Sequence, residues 1–431
     1  RQYHNCILNH VCKGKQVHSN RPILINSWEA FYFDFDAPKL LGLADAAADL
    51  GMELFVLDDG WFGKRDDSTS SLGDWYPNEE KLKGTLKELA EKINAKGLKF
   101  GLWIEPEMTN KDSDLYRAHP DWLLAEQGKR ICHSRTQYVL DFSKKEVREY
   151  IGDMLENLLA EVPVSYIKWD MNRTFSEVFS NGNDREYQGK VCHKYILGVY
   201  ELYERLTSRF PHVLFESCAS GGARFDPGML YYAPQGWTSD DTDAIERLKI
   251  QYGTSMVYPV SCMGSHVSAS PNHQTNRVTP LETRADVAYF GTFGYELDLL
   301  KLGEEDKAEI RRQIAFMKEK RDLIQKGTFY RLKSPFEGNE TAWMIVSEDQ
   351  KKALVGYYRV MQPVNVGFKR LKLKGLKEDT CYKVSGYAYD CYGDELMQVG
   401  MILSDSASGV WKKGVNDKGD FQAEVFEIVA V

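Results

Sequence analysis

Short apolar runs alternate with helical segments between residues 21 and 326, and this alternation constrains the fold more than any other feature of the chain. Helical periodicity is clear at Leu82, Leu86, Leu89 and Ile93, where apolar residues recur every three or four positions. Eight runs have strand character: residues 23–27, 54–57, 100–104, 138–140, 164–167, 213–215, 236–238 and 256–260. Eight strands that alternate with helices predict an α/β fold, a (β/α)8 TIM barrel.

An open, doubly wound parallel sheet would give the same alternation. Such sheets usually carry a glycine-rich phosphate loop after the first strand. The first run here is followed by Trp28 and Glu29, which do not form such a loop. The sequence therefore favours the barrel.

The pattern changes after about residue 327. Strand-like runs separated by turn residues replace the helical periodicity, at residues 329–332, 342–346, 353–359, 371–373, 381–384 and 421–429. They predict a C-terminal antiparallel β-sandwich domain over residues 327–431. The first residue is Arg1 rather than Met, and residues 1–20 are polar. We interpret residues 1–20 as a linker or the remnant of a missing N-terminal domain, and residues 21–326 as the barrel domain.

Composition limits the partners. The formal net charge is -8 and no long basic run occurs, which argues against nucleic acid as a partner. No apolar run of about 20 residues predicts a membrane span, and no signal peptide is evident. The eight cysteines lack Cys-x-x-Cys spacing. A reduced, cytoplasmic location is therefore expected rather than a secreted disulfide scaffold.

In a barrel of this kind the active site lies at the carboxyl ends of the strands. Lys168, Asp170 and Asn172 follow the fifth predicted strand at a spacing of two, so their side chains can project together. The other predicted strand ends carry mainly carboxylates and tryptophans: Trp28, Asp58, Asp59, Trp61, Trp103, Glu105, Glu107, Arg135, Glu216, Cys218, Gly221, Trp237, Asp240, Asp241 and Asp243.

This mixture suits sugar chemistry. Cleaving a glycosidic bond requires two carboxyl groups, one as nucleophile or base and one as acid. Carboxylates also accept hydrogen bonds from sugar hydroxyls, and aromatic faces pack on the apolar side of the ring. Structural alternatives stay open at this point. Trp28 and Trp103 suit a core, Cys218 suits a small buried position, Gly221 suits a tight turn, and one aspartate in 239–243 suits a helix N-cap.

Three rival functions are weighed on the residues alone. A divalent cation could bind clustered acids, but the nine histidines show no His-x-His or His-Glu-x-x-His spacing, so no metal or cofactor is expected. Lys168 could form a Schiff base with a carbonyl substrate, as in a lyase. A non-catalytic carbohydrate-binding barrel is a third reading, which the density of carboxylates disfavours.

Several motifs resemble α-galactosidases of glycoside hydrolase family 36. They occur in the family's order and the likeness runs from about residue 20 to the C-terminus. The motifs are Leu57-Asp58-Asp59-Gly60-Trp61-Phe62-Gly63, Gly101-Leu102-Trp103-Ile104-Glu105-Pro106-Glu107-Met108, Lys168-Trp169-Asp170-Met171-Asn172-Arg173, Glu216-Ser217-Cys218-Ala219-Ser220-Gly221-Gly222 and Trp237-Thr238-Ser239-Asp240-Asp241-Thr242-Asp243.

The resemblance implies a retaining glycosidase that acts on terminal α-linked galactose of melibiose- or raffinose-type oligosaccharides. Asp170 would be the nucleophile and Asp240 the acid and base. By the same likeness the galactose pocket is formed by Trp28, Asp58, Asp59, Trp103, Arg135, Lys168, Asn172, Cys218, Gly221 and Trp237. Related enzymes include galactosyl transferases, so transfer to another sugar stays an alternative. Family members carry a large β-sandwich before the barrel, and the full-length protein is expected to form a homo-oligomer.

Overall fold

The computed structural model describes residues 2–132, 134–363, 369–403 and 419–431. Eight strands close into a barrel in which each strand neighbours the next along the chain. The pairings whose registers are resolved, from the first strand through to the sixth, are parallel. The strands are β1 Leu24–Asn26, β2 Leu54–Leu57, β3 Lys99–Ile104, β4 Tyr166–Trp169, β5 Leu214–Ser217, β6 Gln235–Trp237, β7 Met263–Ser268 and β8 Thr292–Glu296. The predicted (β/α)8 barrel is confirmed.

The helices follow the expected alternation. They are α1 Gln2–Cys6, α2 Trp28–Phe31, α3 Ala37–Leu50, α4 Glu79–Leu82, α5 Leu86–Asn94, α6 Asp114–Ala118, α7 Lys145–Glu161, α8 Arg185–Gln188, α9 Val191–Arg209, α10 Pro227–Tyr232, α11 Ala244–Thr254, α12 Leu281–Ala288 and α13 Glu304–Lys326. Asp36 caps α3 by accepting a hydrogen bond from the Lys39 amide, and Gly51 ends it in a left-handed conformation (φ 90°). These caps fix where α3 starts and ends.

Two of the predicted barrel strands are not part of the barrel. The run 138–140 overlaps an observed strand, but that strand lies outside the barrel in a two-stranded sheet, where Gln137–Val139 pairs antiparallel with Met108–Asn110. Residues 256–260 form no strand, because α11 is followed by turns and a short 3-10 helix at Val260–Cys262. The true strands β7 and β8 contain Gly, Ser, His and Glu, so their apolar pattern is weak although all their residues are buried. Lys168 consequently lies in the fourth strand and Asp170 follows it, Cys218 follows the fifth strand and Asp240 the sixth.

The C-terminal part is an antiparallel sheet domain, as predicted. In the described residues a six-stranded sheet has the order β9-β10-β11-β16-β13-β14, and a two-stranded sheet pairs β12 with β15. The strands are β9 Thr328–Lys333, β10 Glu340–Val346, β11 Lys352–Arg359, β12 Arg370–Leu371, β13 Cys381–Val384, β14 Cys391–Tyr392, β15 Met401–Ile402 and β16 Gln422–Ala430. Side chains of both sheets, such as Val355, Leu371 and Ile428, share one apolar core.

Contacts divide the chain into two compact units. One contains residues 8–240 and 295–307, and the other contains the residues before 8 together with 241–294 and 308–431. The residues from Asn26 to Asp240 that form the candidate site below, and Glu296, belong to the first unit. The predicted domain limits at 20/21 and 326/327 stay a prediction. None of the helices in the described ranges has the length and apolar character that crossing a membrane requires.

Candidate active site

Asp170 lies directly after β4, and its carboxyl group accepts three N–H hydrogen bonds. Trp103 Nε1 (3.1 Å) and Asn172 Nδ2 (2.9 Å) donate to Oδ2, and the Met171 amide (2.8 Å) donates to Oδ1. The Asp170 amide donates to the Ile104 carbonyl at 2.8 Å, which ties the residue to the end of β3. The residue is only 6% exposed, so the orientation of its carboxyl group is set by the protein.

A buried ion pair lies beside it. Lys168 Nζ is 3.0 Å from Asp58 Oδ2, and Asn26 Nδ2 donates to the same oxygen at 2.7 Å. Burial raises the pKa of Asp58, while the charge of Lys168 opposes that rise. Burial alone would lower the pKa of Lys168, but the carboxylates of Asp58 and Glu296 hold it well above its usual value. A lysine that keeps its proton is a poor Schiff-base nucleophile, which argues against the lyase.

Asp59 has a different partner. Arg65 binds both of its oxygens, Nε to Oδ1 at 2.9 Å and Nη2 to Oδ2 at 2.8 Å, and both side chains are buried. The two adjacent aspartates therefore diverge, one to a lysine and one to an arginine. Sequence reasoning missed Arg65 because it lies in the long loop after β2, with no periodic pattern to indicate its direction. A contact between Asp59 and substrate stays a prediction.

Asp240 lies three residues after the last residue of β6, next to the loop that follows β5. Trp237 Nε1 donates to its Oδ1 at 3.1 Å. Gly221 (φ 81°) bridges to Ser239, and a Cβ at this glycine would lie 2.5 Å from the Ser239 Cα. Only glycine therefore allows this close approach of the two loops. Asp240 as a whole residue is exposed, but desolvation of its carboxyl group, followed by the charge of Asp170, raises its pKa to about 6.

Cys218 is buried at the end of β5, where its amide donates to the Trp169 carbonyl at 2.8 Å. Burial and the nearby charge of Asp170 raise the pKa of the thiol well above its usual value. The sulfur therefore stays protonated and can donate a hydrogen bond but not act as a thiolate nucleophile. Trp237 faces Lys168, with Nζ 5.8 Å from the ring centroid.

Two predicted site residues are less enclosed. Trp28 begins α2, is half-buried, and meets Tyr32 and Phe33 edge-on at 5.2 Å. Its backbone amide donates to Asn26 Oδ1 at 2.7 Å, and Asn26 Nδ2 in turn donates to Asp58, so Asn26 connects Trp28 to the Asp58–Lys168 pair. Arg135 is exposed, has φ 54°, and Nη1 donates to Ser220 Oγ at 3.4 Å.

Two glutamates after β3 have separate roles. Glu107 is fully buried and accepts hydrogen bonds from Arg224, Trp169 and Tyr195 at 2.6–2.9 Å, as expected of a structural ion pair. Glu105 is also fully buried and accepts from the Asn172 amide and from Gln137 Nε2. Burial, with the charge of Asp170, raises the pKa of Glu105 to about 8.

Sequence reasoning missed other contributors to this region. Glu296, at the end of β8, was missed because that strand was not predicted. Arg224 and Asn26 gave no signal, since an isolated arginine in a loop or asparagine in a strand has no spacing to indicate a partner. The helix cap predicted within 239–243 is confirmed, because Asp243 accepts from the Ile245 and Glu246 amides.

The donor set gives no support to a metal site. Across the described residues, no group of three or more His, Cys, Asp or Glu side chains is arranged to hold an ion. Independence from metals and cofactors stays a prediction, to be tested by chelation.

The chain is similar to characterised proteins over nearly its whole length. It is 53% identical to "Alpha-galactosidase AgaA" of Geobacillus stearothermophilus over 414 residues, which cover 95% of this chain and 57% of that protein. It is 53% identical to "Bifunctional alpha-galactosidase/sucrose kinase AgaSK" of Mediterraneibacter gnavus over 404 residues, or 93% of this chain and 42% of that protein. The chain thus spans little more than half of the first relative and less than half of the second.

A solved structure of an AgaA variant from G. stearothermophilus in complex with raffinose superposes with a TM-score of 0.95 at 50% identity. The superposed region covers 100% of this chain and 58% of the chain in that structure. The melibiase family model matches residues 1–327, and the model of the glycosyl hydrolase family 36 C-terminal domain matches residues 340–428. The chain therefore belongs to the melibiase family, glycosyl hydrolase family 36.

Proposed function

We propose that this chain forms the catalytic part of a retaining α-galactosidase, with Asp170 as nucleophile and Asp240 as acid and base. The observation that carries the proposal is the contrast between the two carboxyl groups. Asp170 accepts three N–H hydrogen bonds, whereas Asp240 has a pKa raised to about 6 and so holds a proton in mildly acidic solution. Retaining glycosidases require such a pair, one carboxylate and one carboxylic acid. The names of the relatives and the raffinose complex support galactosides as substrates.

The first step forms a covalent intermediate. An oxygen of Asp170 attacks the anomeric carbon of galactose as the glycosidic C–O bond breaks, and Asp240 gives its proton to the departing oxygen. Water then adds to the anomeric carbon and Asp240 takes back a proton, which releases galactose and regenerates the Asp170 carboxylate. Two inversions give retention of configuration.

The electrostatics fit this alternation of roles. The charge of Asp170 is one of the causes that raise the pKa of Asp240. Forming the galactosyl ester removes that charge, so the pKa of Asp240 falls when the residue must act as a base. The positive charge of Lys168 favours the same ionised form. One group can therefore serve as acid before the ester forms and as base afterwards.

The remaining predicted residues supply binding. Asp58 and Lys168 would accept from and donate to galactose hydroxyls, with Cys218 as a further donor and Trp103 as a wall. Asn172, Arg135 and Asp59 would complete the polar contacts. Gly221 keeps the loop before Asp240 in place, and Trp28 and Trp237 offer aromatic surface for the ring.

Replacement of the nucleophile tests the proposal. Asp170→Ala should lower turnover of an aryl α-galactoside about a thousandfold or more, and added azide should restore activity while giving the β-galactosyl azide. Asp67→Ala, at an exposed loop acid, serves as the control and should keep normal turnover. Near-normal turnover by Asp170→Ala would overturn the mechanism. Trapping by borohydride in the presence of substrate would instead point to the lyase.

Water is not the only acceptor that the intermediate permits. A sugar hydroxyl could take the galactosyl group in place of water, and product analysis with raffinose at rising sugar concentration separates hydrolysis from transfer. A cytoplasmic location and homo-oligomerisation of the full-length protein are part of the same proposal.

A further inference from the structure

Asn172 lies at the junction of three hydrogen bonds. Its Nδ2 donates to Asp170 Oδ2 at 2.9 Å, its Oδ1 accepts from Ser220 Oγ at 3.1 Å, and its backbone amide donates to Glu105 Oε1. The three partners come from loops after three different strands, β4, β5 and β3. A change at Ser220 or Glu105 can therefore alter the position of Asp170 through Asn172.

The other two donors on Asp170 are held by rigid surroundings. Trp103 is almost fully buried, stacks with Phe62 at 6.3 Å, and its carbonyl accepts from Trp61 Nε1 at 2.9 Å. The Met171 amide belongs to the backbone. The third donor, Asn172 Nδ2, is carried by a part-buried loop residue, so its direction depends on the groups that hold that residue.

Glu105 fixes the backbone of Asn172 by accepting its amide hydrogen bond. It is fully buried, and its second oxygen accepts from Gln137 Nε2 at 3.0 Å, a side chain that is itself buried. The charged groups that face Glu105 are Asp170 after β4 and Arg65 and Asp59 after β2. With its pKa raised to about 8, Glu105 is mostly uncharged at neutral pH and does not repel the carboxylate of Asp170.

Ser220 holds Asn172 from the solvent side. It has φ 45°, and the next residue, Gly221, is pinned against Ser239 by the close backbone approach described above. The direction of the Ser220 hydroxyl is therefore set by a backbone conformation that few residues adopt. Arg135 Nη1 lies 3.4 Å from the same hydroxyl.

We propose that Glu105 and Ser220 are positioning residues that act through Asn172 to fix the carboxylate of Asp170 for attack. The inference rests on the proposed function, in which Asp170 is the nucleophile. Attack on the anomeric carbon requires an oxygen close to it and aligned with the breaking bond, and small misplacements of a reacting group are costly. Glu105 and Ser220 need not touch the sugar for this effect.

Substitutions at the two residues, with and without Asn172, test the proposal. With an aryl α-galactoside, Ser220→Ala should lower kcat about three- to tenfold and Glu105→Ala about ten- to a hundredfold, each with a smaller change in KM. Glu105→Gln keeps an acceptor for the Asn172 amide and mimics the uncharged acid, so it should recover most of the activity. Ser208→Ala, at an exposed serine of α9, is the control and should leave kcat unchanged.

The decisive measurement is the same pair of substitutions in an Asn172→Ala background. Ser220 binds the Asn172 side chain and Glu105 holds the backbone from which that side chain projects, so without the side chain Ser220→Ala and Glu105→Ala should lower kcat by less than twofold further. Undiminished losses in that background would overturn the inference, even if Asp170→Ala is inactive as the proposed function requires. Activity in Asp170→Ala would instead overturn the proposed function. Thermal melting distinguishes a variant that has lost activity by unfolding from one that is folded and less active. If Glu105→Ala does not fold, Glu105→Gln is the variant expected to do so.

Discussion

The carboxyl ends of the barrel strands and the core of the C-terminal sheet domain use burial in opposite ways. The sheet core contains apolar side chains such as Met344, Val355 and Ile428, and removing them from water stabilises the fold. At the strand ends the buried groups include Asp58, Lys168, Asp170 and Glu105. Burying these groups costs free energy, and for Glu105 the same burial raises the pKa to about 8.

The difference teaches where each region is vulnerable. A buried charge is tolerated only while its partner is present. Loss of one partner leaves the other charge buried and unpaired, and its desolvation cost is then no longer offset. An apolar core loses stability in proportion to the groups removed, and no charge elsewhere is affected. Substitutions at the strand ends should therefore change both stability and pH dependence, whereas those in the sheet core should change stability alone.

The largest effect is expected for Lys168→Met. This change leaves Asp58 buried without its cation and should lower the free energy of unfolding by about 3–5 kcal/mol at neutral pH. The loss should shrink as pH falls, because protonating Asp58 removes the unpaired charge. Urea unfolding from pH 4 to 8 measures both the loss and its dependence on pH.

Two further variants serve as controls. The double variant with Asp58→Asn should recover part of the stability, and Lys145→Met, which breaks an exposed pair with Glu149, should cost less than about 1 kcal/mol. Equal costs for the buried and exposed pairs would remove the contrast.

A smaller effect is expected for Gly221→Ala. The added Cβ would meet the Ser239 Cα at 2.5 Å and the Asp240 amide at 2.7 Å, so the loop that carries the proposed acid must move. We expect a loss of about 1–3 kcal/mol in stability and a larger fall in kcat/KM for substrates with poor leaving groups, which need the acid most.

Gly182→Ala is the matched control. Gly182 also has positive φ (80°), but its Cβ would meet nothing within 4 Å. It therefore carries the backbone strain without the clash, and activity should be normal. If both variants lost activity equally, strain rather than the approach of the two loops would be the cause.

The same contrast explains what the sequence could predict of the fold. In the C-terminal sheet the runs at 342–346 and 353–359 fall within observed strands, because apolar side chains there line a core and leave a readable pattern. Strands β7 and β8 carry glycine and polar residues, so they lack an apolar pattern that could be read from the sequence. Their residues are buried because they pair within the closed barrel. Residues 138–140 had strand propensity, but the strand there pairs outside the barrel, because local sequence does not specify a partner.

For the site, the motifs identified the residues but not their partners. Spacing placed Lys168, Asp170 and Asn172 together, and the structure adds that Lys168 pairs with Asp58, 110 residues earlier in the chain. A long separation in sequence also hid Glu296 near Lys168, whereas Arg65 is only six residues from Asp59 and was hidden because it lies in a loop without a periodic pattern. Long-range pairs of single residues have no periodicity, so only the folded chain reveals them.

The pKa of Asp240 offers a test that moves in both directions. In the wild-type protein kcat/KM for a galactoside with a poor leaving group should fall as pH rises through about 6, since Asp240 must hold a proton to act as acid. Asp170→Asn removes a charge that raises this pKa and should lower it by on the order of one pH unit. Lys168→Met removes a charge that lowers it and should raise it. Carbon-13 NMR of labelled aspartate measures both variants, including the inactive one. Shifts in the same direction for both variants would contradict the electrostatic account.

The smallest effect belongs to the sheet core. Ile428 is fully buried on β16, and Ile428→Val removes one methylene group and should lower the free energy of unfolding by about 0.5–1.5 kcal/mol. Val429, the next residue on the strand, is 42% exposed on the other face, so Val429→Ala should cost less although it removes more atoms. Neither variant should shift the pH profile of kcat/KM, because neither changes a charge near Asp170 or Asp240. A shifted profile in Ile428→Val would mean that apolar burial in the sheet domain also tunes the catalytic charges, and the division of labour between the two regions would then fail.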